Sequence, residues 1–96
     1  MLLIIDDVQL NDPKLFFPYI SNSFGFDPDG IKDLDNLYDV VSEYKDTLDV
    51  IIHDFDEVTE ESRKFAKKVA GVFQDSKLVN KNIKLSFIQN EEKTIK

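Results

Sequence analysis

The sequence predicts an α/β fold: a three-stranded parallel sheet flanked by helices, in the order β-α-α-β-α-β. Three observations predict it. Residues 2–5, 48–53 and 83–88 are short apolar runs of strand length. The stretches between them carry helical periodicity, opened by Asx and proline signals. Each pair of neighbouring runs is separated by helix, which lets the strands lie parallel with right-handed crossovers.

The elements follow in order. Leu2-Leu3-Ile4-Ile5 is continuously apolar, as in a strand buried on both faces. Asn11-Asp12-Pro13 is a helix start, a polar cap followed by proline in the first turn. Leu15, Phe16, Tyr19 and Ile20 follow helical spacing and Phe24 continues the face, while Pro18 calls for a kink or a restart. Residues 25–30, Gly-Phe-Asp-Pro-Asp-Gly, form a loop by composition. A second helix starts near Asp33, with Leu34, Leu37, Val41 and Tyr44 on one stripe. Asp33 and Asp35 stand at its N-terminal end, where the helix dipole favours negative charge.

Leu48–His53 is expected to be a second buried strand. A long helical stretch follows from about Glu57 to Val79, with a break near Ser62 and Asn80 as its C-cap. Phe65, Val69, Val72, Phe73 and Ser76 share its apolar face, and Lys64, Lys67, Lys68 and Gln74 point elsewhere. Residues 83–88 alternate, as a half-buried strand does. Residues 1–90 are expected to form a single domain, and 91–96 a polar C-terminal tail.

Composition narrows the chemistry. The 96 residues contain no Cys and one His, which excludes disulfides, thiol catalysis, cysteine metal sites and His-rich zinc sites. The apolar start stops at Asp6, too short for a signal peptide or a membrane span, so a cytoplasmic location is expected. Net charge is −7 and unevenly spread. Residues 1–58 hold 14 Asp/Glu and 3 Lys/Arg, net −11, whereas residues 59–96 hold 5 and 9, net +4. A field of that sign repels RNA and anionic membranes and attracts cationic partners. No nucleic acid, membrane, metal or cofactor is expected as a partner.

Enzyme-like signals are weak. Asp6-Asp7 after the first run and Asp54 after the second resemble the start of a phosphoacceptor receiver domain, whose strand-end carboxylates hold Mg²⁺. Such a domain needs two more strand–helix units, and only 42 residues follow Asp54. His53-Asp54 and Asp54/Asp56 lack the further histidines of a metallohydrolase. Gly25, Gly30 and Gly71 form no phosphate loop. No catalytic residue is expected.

The second helix is more informative. Asp35 and Asp39 are four residues apart and project from one face, Tyr38 flanks them, and Glu43 extends the line. Like charges at this spacing cost a few tenths of a kcal/mol, which a cationic partner would turn into attraction.

Leu34-Asp35-Asn36-Leu37-Tyr38-Asp39-Val40 resembles the Leu-Asp-x-Leu-Trp-Asp pattern of the barstar family, protein inhibitors of barnase-type ribonucleases. Val72-Phe73-Gln74-Asp75-Ser76-Lys77, followed by Ile83, is similar to that family's Val-Phe-x-Glu-Ala-Lys segment before its last strand. The likeness covers about residues 2–89 and agrees with the predicted element order. It implies that the acidic helix and the loop before it plug a cationic active site. Asp39 would stand for the substrate phosphate and Asp35 for a neighbouring charged contact. Tyr38 would supply aromatic area in place of Trp, and Asp75 would take the place of a Glu. Leu34 and Val72 would be apolar contacts, with Glu43 at the margin and Asp29, Gly30 and Asp33 as loop contacts. The chain departs from the family in that loop, which has Asp27-Pro28-Asp29-Gly30 where the family carries Tyr-Tyr-Gly. The partner implied is a basic ribonuclease or a related toxin, and the free chain is expected to be a monomer. A role as immunity protein or acidic interaction module for another basic protein, and a degenerate receiver-like domain, are the alternatives.

Overall fold

A computed structural model describes residues 1–6, 10, 12–53 and 60–88. Strand β1 is Leu2–Ile5, α1 Pro13–Ser23, α2 Leu34–Ser42, β2 Leu48–His53, α3 Glu60–Val79 and β3 Ile83–Ile88. The three strands form one parallel sheet in the order β1-β2-β3, the predicted α/β arrangement.

That order explains one departure from expectation. Both crossovers step the same way across the sheet. Joined with the same hand, they place every helix on one face. Leu3, Ile5, Leu48, Val50, Ile52 and Ile83 point into the helices and are buried. Paired residues in a parallel register share a face, so Leu2, Ile4, Asp49, Ile51, Lys84, Ser86, His53 and Ile88 lie on the other. Leu2 is 60% and Ile4 40% exposed, and Asp49 and His53 are exposed as well. The first two strands are therefore covered on one face, not both. β3 begins as an alternating strand, but Phe87 and Ile88 are exposed at its end.

Helix α1 opens as expected. The Asp12 carboxylate accepts from Lys14 N–H at 2.9 Å and Pro13 occupies the first position. It neither stops nor restarts at Pro18. Its core face is narrower than the sequence stripe suggests: Phe16 and Ile20 are buried, but Leu15 is 53% exposed. Phe16 meets Phe17 and Phe65 edge-on, with ring centroids 5.1 and 5.3 Å away. Such pairs add about 0.5–1.5 kcal/mol beyond their burial. α3 is unbroken from Glu60, with Ser62 buried inside it rather than at a break. Its predicted beginning at 57–59 and the predicted tail at 91–96 lie outside the described residues.

The α1–α2 connection is built around one serine. Gly25, at φ +83°, ends α1: its N–H bonds Asn22 O at 3.0 Å, and Phe26 N–H bonds Ser21 O at 2.9 Å. This is the left-handed helix termination that glycine permits. Asp27 to Gly30 is a tight turn closed by Gly30 N–H to Asp27 O at 2.8 Å, with proline in its favoured second place. Ile31 then dives into the core, fully buried. Its N–H bonds the Ser21 hydroxyl at 2.9 Å. The hydroxyl proton is shared between Phe17 O at 2.8 Å and Ile31 O at 3.3 Å.

Gly30 is required by close approach. A Cβ there would lie 2.7 Å from the Phe26 Cβ and 3.2 Å from Asp27 O, whereas one at Gly71, inside α3, would meet nothing within 4 Å. Gly30→Ala is expected to lose about 1–3 kcal/mol in urea unfolding through overpacking. Gly71→Ala is expected to gain about 0.5–1 kcal/mol from helix propensity. Equal effects at the two sites would contradict the turn geometry.

Candidate partner-binding site

Helix α2 is amphipathic in the way its stripe predicts. Leu37 and Val41 are buried, and Leu34 and Tyr44 pack half-buried against the same core. Its start is reciprocally capped. The Asp33 carboxylate accepts from Asn36 N–H at 2.8 Å, and Asn36 Oδ1 accepts from Lys32 N–H at 3.3 Å. Asp33, expected as a loop contact, is therefore the N-cap, and one of its carboxylate oxygens is already engaged.

The remaining candidates fall into three groups. Asp35 and Asp39 are exposed on α2, and Tyr38 is half-buried beside them. Glu43 is exposed but lies at the C-cap, one residue beyond the helix. Asp29 and Gly30 sit in the exposed turn upstream. Among the described residues, Asp35, Asp39, Glu43 and Asp75 have no ion-pair partner.

Asp75 and Val72 come from α3, which packs on α2. Val72 is half-buried and Asp75 exposed. Two contacts set the register between the helices. Ser42 Oγ, one turn beyond Asp39, lies 3.4 Å from Ser76 Oγ, the neighbour of Asp75. Asn80, 7% exposed, does more than end α3. Its Nδ2 donates to Val41 O at 3.0 Å, which also accepts from Tyr44 N–H at 3.2 Å, and to Tyr44 O at 2.9 Å, just beyond the end of α2. Its Oδ1 accepts from Asn82 N–H at 3.0 Å. One side chain thus caps the acidic helix and fixes it to the element carrying Asp75.

Ser42, Ser76 and the long reach of Asn80 do not appear among the sequence candidates. A signal was present: Ser76 interrupts the apolar stripe of its helix, as a small polar residue does when it faces another across a helix contact.

Charge on α2 runs against its own stability at one end. Negative charge suits the N-terminus but opposes the dipole at Glu43, and no basic residue occupies the last turn. Glu43→Gln is expected to stabilise the free protein by about 0.3–0.5 kcal/mol in chemical denaturation, a gain that fades with added salt. A loss of stability would mean that the carboxylate has a structural task.

The strand ends offer less. β1 and β2 are neighbours, so Asp6 and His53 emerge at the same end of the sheet, with Asp6 half-buried and His53 exposed. Asp7, Asp54 and Asp56 lie outside the described residues. Among the described residues, no three His, Cys, Asp or Glu side chains are grouped to hold a metal ion. The progressive strand order has no reversal, and so lacks the switch-point crevice where open α/β sheets bind ligands. No helix among the described residues is long and apolar enough to cross a membrane.

Fold and site together define a two-layer α/β protein that presents an acidic helix face on a fixed mount. No protein-family model matches the chain, and no curated protein matches it.

Proposed function

We propose that the protein is a non-enzymatic, cytoplasmic inhibitor of the barstar type. In this reading, α2 and the turn before it plug the cationic active site of a barnase-type ribonuclease. The observation that carries it is the line of unneutralised carboxylates on α2, joined by Asp75 from the helix bonded to its end. A site built to bind RNA phosphates is lined with Arg, Lys and His. Asp39 would meet that cluster as a phosphate would, with Asp35 pairing beside it, and charge-assisted bonds gain strength as water leaves. Tyr38 and Leu34 supply apolar area at the margin. Because the inhibitor works by occupancy, it needs no catalytic residue, metal or cofactor, and one copy blocks one enzyme.

The experiment is direct. Purified protein is titrated into RNA-cleavage assays with barnase and a panel of small basic ribonucleases. Inhibition at a one-to-one ratio is expected, with an association rate that falls steeply as salt rises. If every enzyme cleaves at its full rate in micromolar protein, and none binds it, the reading fails.

A further inference from the structure

The sheet has two outer edges, and they are finished differently. Backbone groups alternate sides along a strand. Met1 O accepts from Asp49 N–H at 2.8 Å, so Leu3 and Ile5 turn their backbone toward β2, while Leu2 and Ile4 face outward. That edge is four residues long, and the Tyr19 hydroxyl donates to Ile4 O on it. A short edge with an engaged carbonyl is a poor template for another strand. On the opposite edge, Asn82 O accepts from Leu48 N–H at 2.9 Å. Lys84, Ser86 and Ile88 therefore turn toward β2, and Ile83, Leu85 and Phe87 face outward.

This second edge runs for six residues with no proline or glycine and an unbroken register on β2. Ile83 N–H is bonded to Asn80 O at 3.4 Å. Ile83 O and both backbone groups of Leu85 and Phe87 have no hydrogen bond among the described residues. The helix layer stops short of them. Phe87 lies on the helix side with its register partner Ile52, yet Ile52 is 5% and Phe87 49% exposed. Helices overhanging β3 would have covered that ring.

We propose that β3 pairs antiparallel with β3 of a second copy, about a two-fold axis through Leu85, to make one continuous six-stranded sheet. The occupant follows from self-complementarity. In this register the two Leu85 residues exchange N–H···O bonds across the axis, and each Phe87 N–H reaches Ile83 O of the other copy. Leu85 meets Leu85 and Phe87 meets Ile83, apolar against apolar on the helix side. On the bare side Lys84 stands opposite Ser86, so no like charges face each other directly. The two Lys84 side chains are diagonal across the axis, each beside an Asp49 on its own β2. The two-fold axis is perpendicular to the sheet, so the helices of both copies lie on the same side. The contact is isologous and closed, and the blunted β1 edges at its two ends stop further growth. No residue of α2 takes part, so the proposal is independent of the inhibitor reading. It replaces the free monomer that the family likeness implies.

The test uses the full chain in sedimentation equilibrium from micromolar to millimolar protein. A strand-edge contact is small, so dimer is expected in the upper part of that range. Each copy carries −7, so added salt is expected to strengthen the pairing. Phe87→Pro removes an outward N–H at an exposed edge position and should leave the chain monomeric. Ser86→Lys, also exposed, sets like charges opposite each other and should weaken pairing about tenfold; Ser86→Glu should tighten it. In a mixture of labelled and unlabelled chains, the α-protons of Lys84 and Ser86 should show a cross-peak between copies. A chain that stays monomeric at millimolar concentration overturns the proposal. So does a dimer that lacks this cross-peak and responds alike to both Ser86 variants.

Discussion

Asp39→Ala is expected to abolish most of the inhibition of a cognate ribonuclease while leaving the fold intact. Asp39 is exposed, and among the described residues its side chain makes no hydrogen bond or ion pair that a smaller residue would lose. Its removal relieves like-charge repulsion with Asp35, worth a few tenths of a kcal/mol in the free helix. The free protein should therefore unfold at the same denaturant concentration or slightly higher. In the complex the balance reverses. A carboxylate buried against Arg, Lys or His leaves those charges unpaired when it is truncated, at a cost of about 2–5 kcal/mol. Most of that loss should appear in the dissociation rate, because Asp35, Glu43 and Asp75 still steer the encounter. Isothermal titration and stopped-flow association, run beside urea unfolding, separate the two effects. Asp33→Ala is the control. It removes the helix cap, so it should lower stability by about 1 kcal/mol. Unchanged affinity in the Asp39 variant would remove that residue from the interface.

The second large effect is expected at Asn80. Asn80→Ala strips donors from Val41 O and Tyr44 O and an acceptor from Asn82 N–H. Val41 O keeps the Tyr44 N–H at 3.2 Å, so the loss falls mainly on Tyr44 O and Asn82 N–H. A buried group left without a partner costs about 1–3 kcal/mol, and a total of about that size follows, a large share of the stability of a domain this size. Asn80→Asp is the sharper variant, since a carboxylate would face two carbonyl oxygens and should destabilise at least as much at neutral pH. Hydrogen exchange should show the loss concentrated at the end of α2 and the start of β3. A uniform loss across the core would mean that Asn80 fills space rather than joining the helices.

Much of the fold was legible because its signals are local. Strand-length apolar runs, the Asp12-Pro13 opening and the Leu34/Leu37/Val41 stripe each lie within a few residues of the element they specify. What could not be read locally was the number of faces the sheet would cover. Leu2 and Ile4 are as apolar as Leu3 and Ile5, and only the strand order decides which pair meets helices. Ile31 was hidden for a related reason. It follows a polar turn, and its burial depends on a serine ten residues earlier.

The candidate site divides in the same way. The carboxylates of α2 are visible as spacing along one helix. The bond from Asn80 to Val41 spans 39 residues and has no periodicity to betray it. Asp33 carries the same side chain as Asp35, yet one caps the helix and the other faces solvent. Position relative to the first turn separates them, and that boundary is the least certain quantity in a sequence.

Ser21 has a wider consequence. Its carbonyl holds Phe26 N–H and its hydroxyl holds Ile31 N–H, so one residue anchors both ends of the 26–31 excursion. What lies between, Asp27 to Gly30, is a cassette clipped to a frame that does not depend on most of its side chains. New four-residue turns could be exchanged there with the mount, the core and the acidic helix unchanged, provided the closing glycine is kept. A lineage or a designer could thus vary that surface one small insert at a time, without having to solve its folding again.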